Sequence, residues 1–157
     1  MKYKIIKEEN FEKARKEIKN RKGDENIIFS GENDEINRKV LEKEKIDILL
    51  LNQEGRKDSL KQRNSGLNSV LAKIMKKNNV MLGINMDEII ESEKKQKSDI
   101  LARIRQNIKL CIKNRLKVTM ISQKEKNKRD IYDIKSLGII LGMPTWMISS
   151  ANFINNQ

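Results

Sequence analysis

Short apolar runs alternate with longer amphipathic segments along the chain, and that alternation predicts strands and helices in turn. Lys4–Lys7 reads as a strand, followed by a helix from Phe11 to Arg21 that stops at Gly23. Asn26–Ser30 is a second strand and Asp34–Glu44 a second helix. Ile46–Leu51 is almost continuously apolar, the pattern of a strand buried on both faces. A polar loop, Asn52–Asn64, leads to a helix from Ser65 to Lys77, and Val80–Ile84 is the fourth strand. The next helix takes Ser98 as its N-cap and carries Leu101, Ile104, Ile108, Cys111 and Ile112 on one stripe. Strand five, Lys117–Ser122, runs into a basic loop, Gln123–Arg129. Asp130 then caps a helix to Leu141. Gly142 and Pro144 stop and restart the chain, and a last helix over Thr145–Asn155 aligns Trp146, Ser150, Ala151 and Ile154.

Strand–helix repeats imply parallel strands joined by right-handed crossovers. A complete eight-fold barrel takes about 250 residues, so about five βα units in 157 residues predict an abbreviated or open TIM-barrel-like α/β fold. No low-complexity segment or linker divides residues 1–157, which are expected to form one domain. The longest runs with little or no charge, Ile46–Asn52 (charged only at Asp47) and Leu137–Ala151, are too short for a membrane span or carry Gly, Pro and Ser. With no basic-then-apolar leader at the start, a cytoplasmic, unprocessed protein is expected.

Charge sharpens the picture. Residues 1–46 hold 13 of the 34 Lys/Arg against 11 Asp/Glu, whereas residues 47–157 hold the other 21 against 11, so most of the net +12 falls in the second part. Such a balance suits a polyanion, and no membrane-binding amphipath competes for that role. General lysine richness accounts for the same number without any partner. The chain has no histidine, which removes Ser–His and Cys–His pairs and imidazole metal ligands. Its single cysteine, Cys111, makes no disulfide and no thiol metal site. The acidic residues fall mostly in patterns expected of solvated helix, such as Glu88–Glu93, and no phosphate-cradling glycine loop is visible. Neither catalytic nor metal-ligating residues are expected.

In parallel α/β folds the loops after the strands gather at one end, where function collects. Two such loops are basic. The first contributes Arg56, Lys57, Lys61 and Arg63, with Asn64 and Ser65 as neutral donors; the second contributes Lys124, Lys126, Lys128 and Arg129. Arginines in the first loop stand out from the lysine background. Aromatics are few (Tyr3, Phe11, Phe29, Tyr132, Trp146 and Phe153), so recognition of a folded RNA by shape and backbone is expected rather than base stacking.

Arg56-Lys57-Asp58-Ser59, then Arg63-Asn64-Ser65-Gly66-Leu67-Asn68, Ser69-Val70-Leu71-Ala72-Lys73 and Asn78-Asn79-Val80 make a specific block. It resembles the archaeal ribonuclease P protein component 3 family. A second block, Arg129-Asp130, Asp133, Ser136-Leu137-Gly138 and Leu141-Gly142-Met143, is similar to a later element of that family. The resemblance covers residues 45–145. It is to a short version of the family, with a compressed amino-terminal third that keeps little motif. The resemblance implies a barrel-like fold related to the polymerase and histidinol phosphatase fold without that fold's metal-binding histidines. It implies partnership with ribonuclease P RNA, with ribonuclease P protein component 2 and other subunits, and indirectly with precursor tRNA. The RNA, using Mg²⁺, would remove the 5′ leader, and this protein would bind no cofactor of its own. An open barrel also leaves an edge or an apolar surface for a partner to cover. Two other classes stay open: a small metal-dependent phosphoesterase, which would need carboxylate or histidine clusters, and a generic α/β adaptor.

Several conspicuous residues have plainer readings. Gly66 and Asn68 suit the loop-to-helix junction, Asp58 a loop carboxylate, and Asp130 with Asp133 a helix start. Met75, Met81 and Met120 read as core filler, and Trp146 as a buried anchor.

Overall fold

Every apolar run named above becomes a strand of one parallel sheet. A computed structural model of the chain describes residues 2–31, 33–150 and 154–155. The strands are β1 (Tyr3–Glu8), β2 (Asn26–Gly31), β3 (Ile48–Leu51), β4 (Met81–Asn85), β5 (Val118–Ser122) and β6 (Ile154–Asn155). They lie side by side in chain order, each pair parallel. The amino-terminal part, where little motif was found, supplies a full-length pair, with Tyr3 opposite Asn26 and Glu8 opposite Gly31. Among the described residues β1 and β6 are the two edges, so the expected open, abbreviated barrel is what forms.

Right-handed crossovers without a reversal of strand order carry the helices to one side. These are α1 (Phe11–Lys19), α2 (Asp34–Lys43), α3 (Ser69–Lys77), α4 (Met86–Glu91), α5 (Lys94–Asn114), α6 (Ile131–Leu141) and α7 (Thr145–Ser150). Alternation along the strands divides the core in two. Ile27, Phe29, Leu49, Leu51, Leu82, Ile84, Val118 and Met120 join the large cluster under the helices. Ile28, Ile48, Leu50 and Ile121 form a second, smaller cluster flanked by Tyr3, Ile5 and Met81. Gly83 lies beneath that second cluster. A β-carbon there would sit 3.0 Å from Ile48 and Ile121 and 3.2 Å from Leu50, so its bare backbone lets these side chains meet.

Several boundaries differ from the sequence expectation. The third helix starts at Ser69, not Ser65, because Asn68 accepts from the Leu71 amide. The helical pattern read over Glu88–Glu93 becomes α4, which follows β4 directly from Met86, is capped by Asn85 and is partly buried rather than solvated. The long helix α5 begins at Lys94, so Ser98 lies inside it rather than at its cap. The last helix ends at Ser150, and Ile154–Asn155 pairs with β5 instead of continuing it. Met75 and Met120 are core as expected, and Met81 packs half-buried against the smaller cluster. Trp146 is 45 % exposed rather than a buried anchor. It joins Ile131, Tyr132, Ile139 and Ile140 as the exposed apolar residues of α6 and α7.

Candidate nucleic-acid interface

At the carboxyl end of the sheet, short polar side chains lock neighbouring strands together. Asn52 Nδ2 donates to Ser30 Oγ at 3.0 Å, Asn85 Nδ2 to Asn52 Oδ1 at 2.9 Å, and the Asp87 amide to Asn85 Oδ1 at 3.0 Å. This row ties the ends of β2, β3 and β4, and the first basic loop starts from it; Asp87 extends it to Ser122 and Gln123, where the second begins. Asn52, Glu54, Asp87, Glu91, Gln123 and Lys124 line a common cleft of about 380 Å³, so the two loops do share one end of the fold.

The first loop is long and has little regular structure, yet it is held by two arginines, one its own and one from α5. Arg56 donates through Nε to the Asn52 carbonyl at 2.6 Å and through both Nη atoms to the Asp34 carboxylate at 3.0 and 2.8 Å. Its Nη1 also reaches Asn64 Oδ1 at 3.2 Å. Arg103, buried on α5, donates to Asp58 Oδ1 at 2.9 Å and to the carbonyls of Gln53 and Arg56 at 3.2 and 2.9 Å. The Asp58 carboxylate also accepts from the Asn64 amide at 2.8 Å. The Arg103 hydrogen bond, with this second one, holds Asp58 below its usual carboxylate range. Glu88 fixes the loop's beginning by accepting from the amides of Gln53 and Glu54. Its burial pushes it above the usual range despite those bonds.

Of the first loop's six sequence candidates, the structure divides three from three. Lys57, Lys61 and Arg63 project into solvent. Arg56, only 14 % exposed, is consumed by Asp34 and the loop backbone, and Asn64 ties Arg56 to Asp58. Ser65 is 2 % exposed. Its carbonyl accepts from Gln53 Nε2 and Asn107 Nδ2, both at 3.0 Å, and its hydroxyl from Gln106 at 3.3 Å. It is a buried junction rather than a surface donor.

The second loop is shorter and its cations are matched by carboxylates. Glu91 receives both Lys124 and Lys126, and Lys128 pairs with Glu125. Hydrogen bonds from Lys124, Lys126 and Asn127 pull Glu91 down to about 2, and Glu91 in turn raises Lys124. Arg129 bonds the carbonyls of Lys126 and Lys128. Beneath them Asp87 is buried and accepts from Ser122 Oγ, the Gln123 amide and Asn127 Nδ2. Asp130 caps α6 through the Tyr132 amide, with Asp133 in the first turn, both as expected.

Cys111 is buried and its thiol is pushed up to about 12 by burial, so it offers no thiolate. Among the described residues no group of three or more Cys, Asp and Glu is placed to hold a metal ion, and no helix is long and apolar enough to cross a membrane. Sequence reasoning missed the anchors: Arg103, Asp34 and Asp87 sit on distant helices, and only the fold brings them to the loops.

Comparison with known proteins converges on one family. The model of the family described as RNase P subunit p30 matches residues 5–150. Ribonuclease P protein component 3 of Methanococcus maripaludis (strain C7) is 31% identical over 131 residues, covering 83% of this chain and 51% of that protein. The Methanococcus vannielii protein of the same name is 30% identical over 112 residues, covering 71% of this chain and 44% of that one. A chain in the cryo-EM structure of archaeal ribonuclease P with mature tRNA superimposes with a TM-score of 0.76 at 25% identity, covering 92% of this chain and 62% of its own. The chain thus spans about half the length of the curated relatives it matches.

Proposed function

This chain belongs to the RNase P subunit p30 family, and on that premise we propose that it is a non-catalytic protein subunit of ribonuclease P. It binds and steadies the RNA that removes the 5′ leader from precursor tRNA. The observation that carries this reading is the first loop: a segment without helix or strand, fixed by Arg56 and Arg103, that turns Lys57, Lys61 and Arg63 outward. A pre-ordered loop loses little entropy on meeting a phosphate backbone. Lys57, Lys61 and Arg63 make the phosphate contacts, and Arg56, Asn64 and Ser65 hold the loop in shape. Lys124, Lys126, Lys128 and Arg129 form a weaker second patch, since Glu91 and Glu125 neutralise part of it. Mg²⁺ for the hydrolysis is held by the RNA, and the complex works in the cytoplasm. The exposed apolar side chains of α6 and α7 receive a second protein subunit, ribonuclease P protein component 2.

The test is reconstitution of the cognate RNA with precursor tRNA over a Mg²⁺ series, with and without this protein and component 2. Faster cleavage at lower Mg²⁺ only with both proteins supports the proposal. No effect from a folded protein on a competent RNA would leave an inherited fold without the inherited role.

A further inference from the structure

The clefts and grooves of the surface differ in charge. The one between α1 and α2 is lined by Glu9, Glu12, Glu35 and Glu44 as well as by cations, and the one at the strand ends by Glu54, Asp87, Glu88 and Glu91. The groove along the outer side of α5, about 530 Å³, has no carboxylate in its lining. It is walled by Arg63, Arg105, Lys109 and Lys113, with Gln106 and Leu110 between them. The three helical cations recur at every fourth residue, all exposed. They form a straight row with about 6 Å of rise between neighbours, about 12 Å in all. Like charges at that spacing repel and weaken an isolated helix. The helix C-terminus favours Lys113, in the last turn of α5, but does nothing for Arg105 and Lys109 further in.

We propose that this groove, Arg105–Lys109–Lys113 with Arg63, is a second nucleic-acid contact that takes a strand of RNA phosphate backbone. The inference rests on the RNA-binding reading above and adds a surface to it on the helical layer. Arg63 lines this groove and also the neighbouring depression that Lys57 lines, so one cation joins the two into a continuous track. Arg103 makes the junction rigid: its side chain clamps the loop at Asp58 from the same helix that carries the row. A regular polyanion suits a regular row of cations. An acidic protein segment suits it less, because protein interfaces anchor on buried aromatic or apolar side chains, and the groove offers only the partly buried Leu110 and Ala102.

The test compares wild type, the triple variant Arg105→Gln/Lys109→Gln/Lys113→Gln and the loop variant Lys57→Gln/Lys61→Gln. Each full chain, with component 2, is titrated with the cognate ribonuclease P RNA across a salt series. Removing three phosphate contacts should reduce the slope of log affinity against log salt by about two to three units. The triple variant should melt no lower than wild type, since repulsion is relieved, which separates lost contacts from lost folding. A wild-type slope in the triple variant, with a reduced slope in the loop variant, overturns the groove and leaves the RNA-binding reading intact. Unchanged RNA affinity with lost binding of component 2 assigns the groove to a protein and also overturns the proposal. Absence of RNA binding by the folded wild type sinks both.

Discussion

The guanidinium of Arg56 lies flat against the α-carbon of Gly66: a β-carbon there would stand 2.5 Å from Nη2 and 2.8 Å from Cζ. Gly66 also holds φ at +79°, in the left-handed region. Two constraints therefore meet at one residue, one from its own backbone and one from the arginine whose side chain makes four hydrogen bonds, to Asn52, Asp34 and Asn64.

Gly66→Ala should destabilise the chain by about 1–3 kcal/mol, from backbone strain and displacement of Arg56. Urea unfolding of Gly66→Ala, Arg56→Ala and the double variant checks this. The double variant should lose less than the sum of the singles, because without the guanidinium only the backbone strain remains. Full additivity would mean that the two residues do not constrain each other.

Arg103→Ala leaves the carbonyls of Gln53 and Arg56 without their donor and Asp58 without its cation. Each buried acceptor left unsatisfied costs about 1–3 kcal/mol. The loss should be local as well as global: in hydrogen exchange, amides of the first loop, that of Asn64 above all, should lose protection before those of β3 and β4. Uniform loss across the sheet would show that the clamp supports the whole fold rather than the loop.

Much of the fold was legible because apolar runs bounded by Gly, Asn and charge have few other outcomes. Val80–Ile84 and Lys117–Ser122 could be placed within a residue or two. The burial of helix α4 was hidden because six residues, Met86–Glu91, are too few to show which side is apolar, and its acids suggested a solvated helix. Asp87 and Glu88 are instead partly or fully buried against loop amides that no local pattern reveals. Arg56 and Lys57 look equivalent in a polar loop, and only Asp34, 22 residues away, separates a structural cation from a free one. The row on α5 follows the same helical spacing as the apolar stripe, along the flank beside it.

Glu91 provides a pH signature. Its folded value, about 2, lies below its ordinary 4.5, so the stability it contributes is fully present above pH 4.5 and is lost as pH falls from 4.5 towards 2. Glu91→Gln should therefore lower the melting temperature at pH 5–7 and flatten its dependence on pH below 4.5. Glu88 acts in the opposite sense, since its raised value favours the folded state as it takes up a proton. Parallel melting curves for wild type and Glu91→Gln across pH 2–5 would contradict the assignment.

Trp146 is the only tryptophan and reports on the apolar side of α6 and α7. On addition of component 2 its emission should move to shorter wavelength as the ring leaves water. Ile140→Lys, at an exposed position, should change stability by no more than about 0.5 kcal/mol while abolishing that shift. An unshifted emission in a complex that has formed would place the partner elsewhere.

Strand order in this sheet is identical to chain order. During synthesis each βα unit therefore emerges to find the strand it must pair with already in place, and no gap is held open for one made later. Growth of the sheet is additive, each unit seated on the one before it, as in stacked repeats. Lengthening such an arc by further units at the β6 edge asks nothing new of β1 or β2.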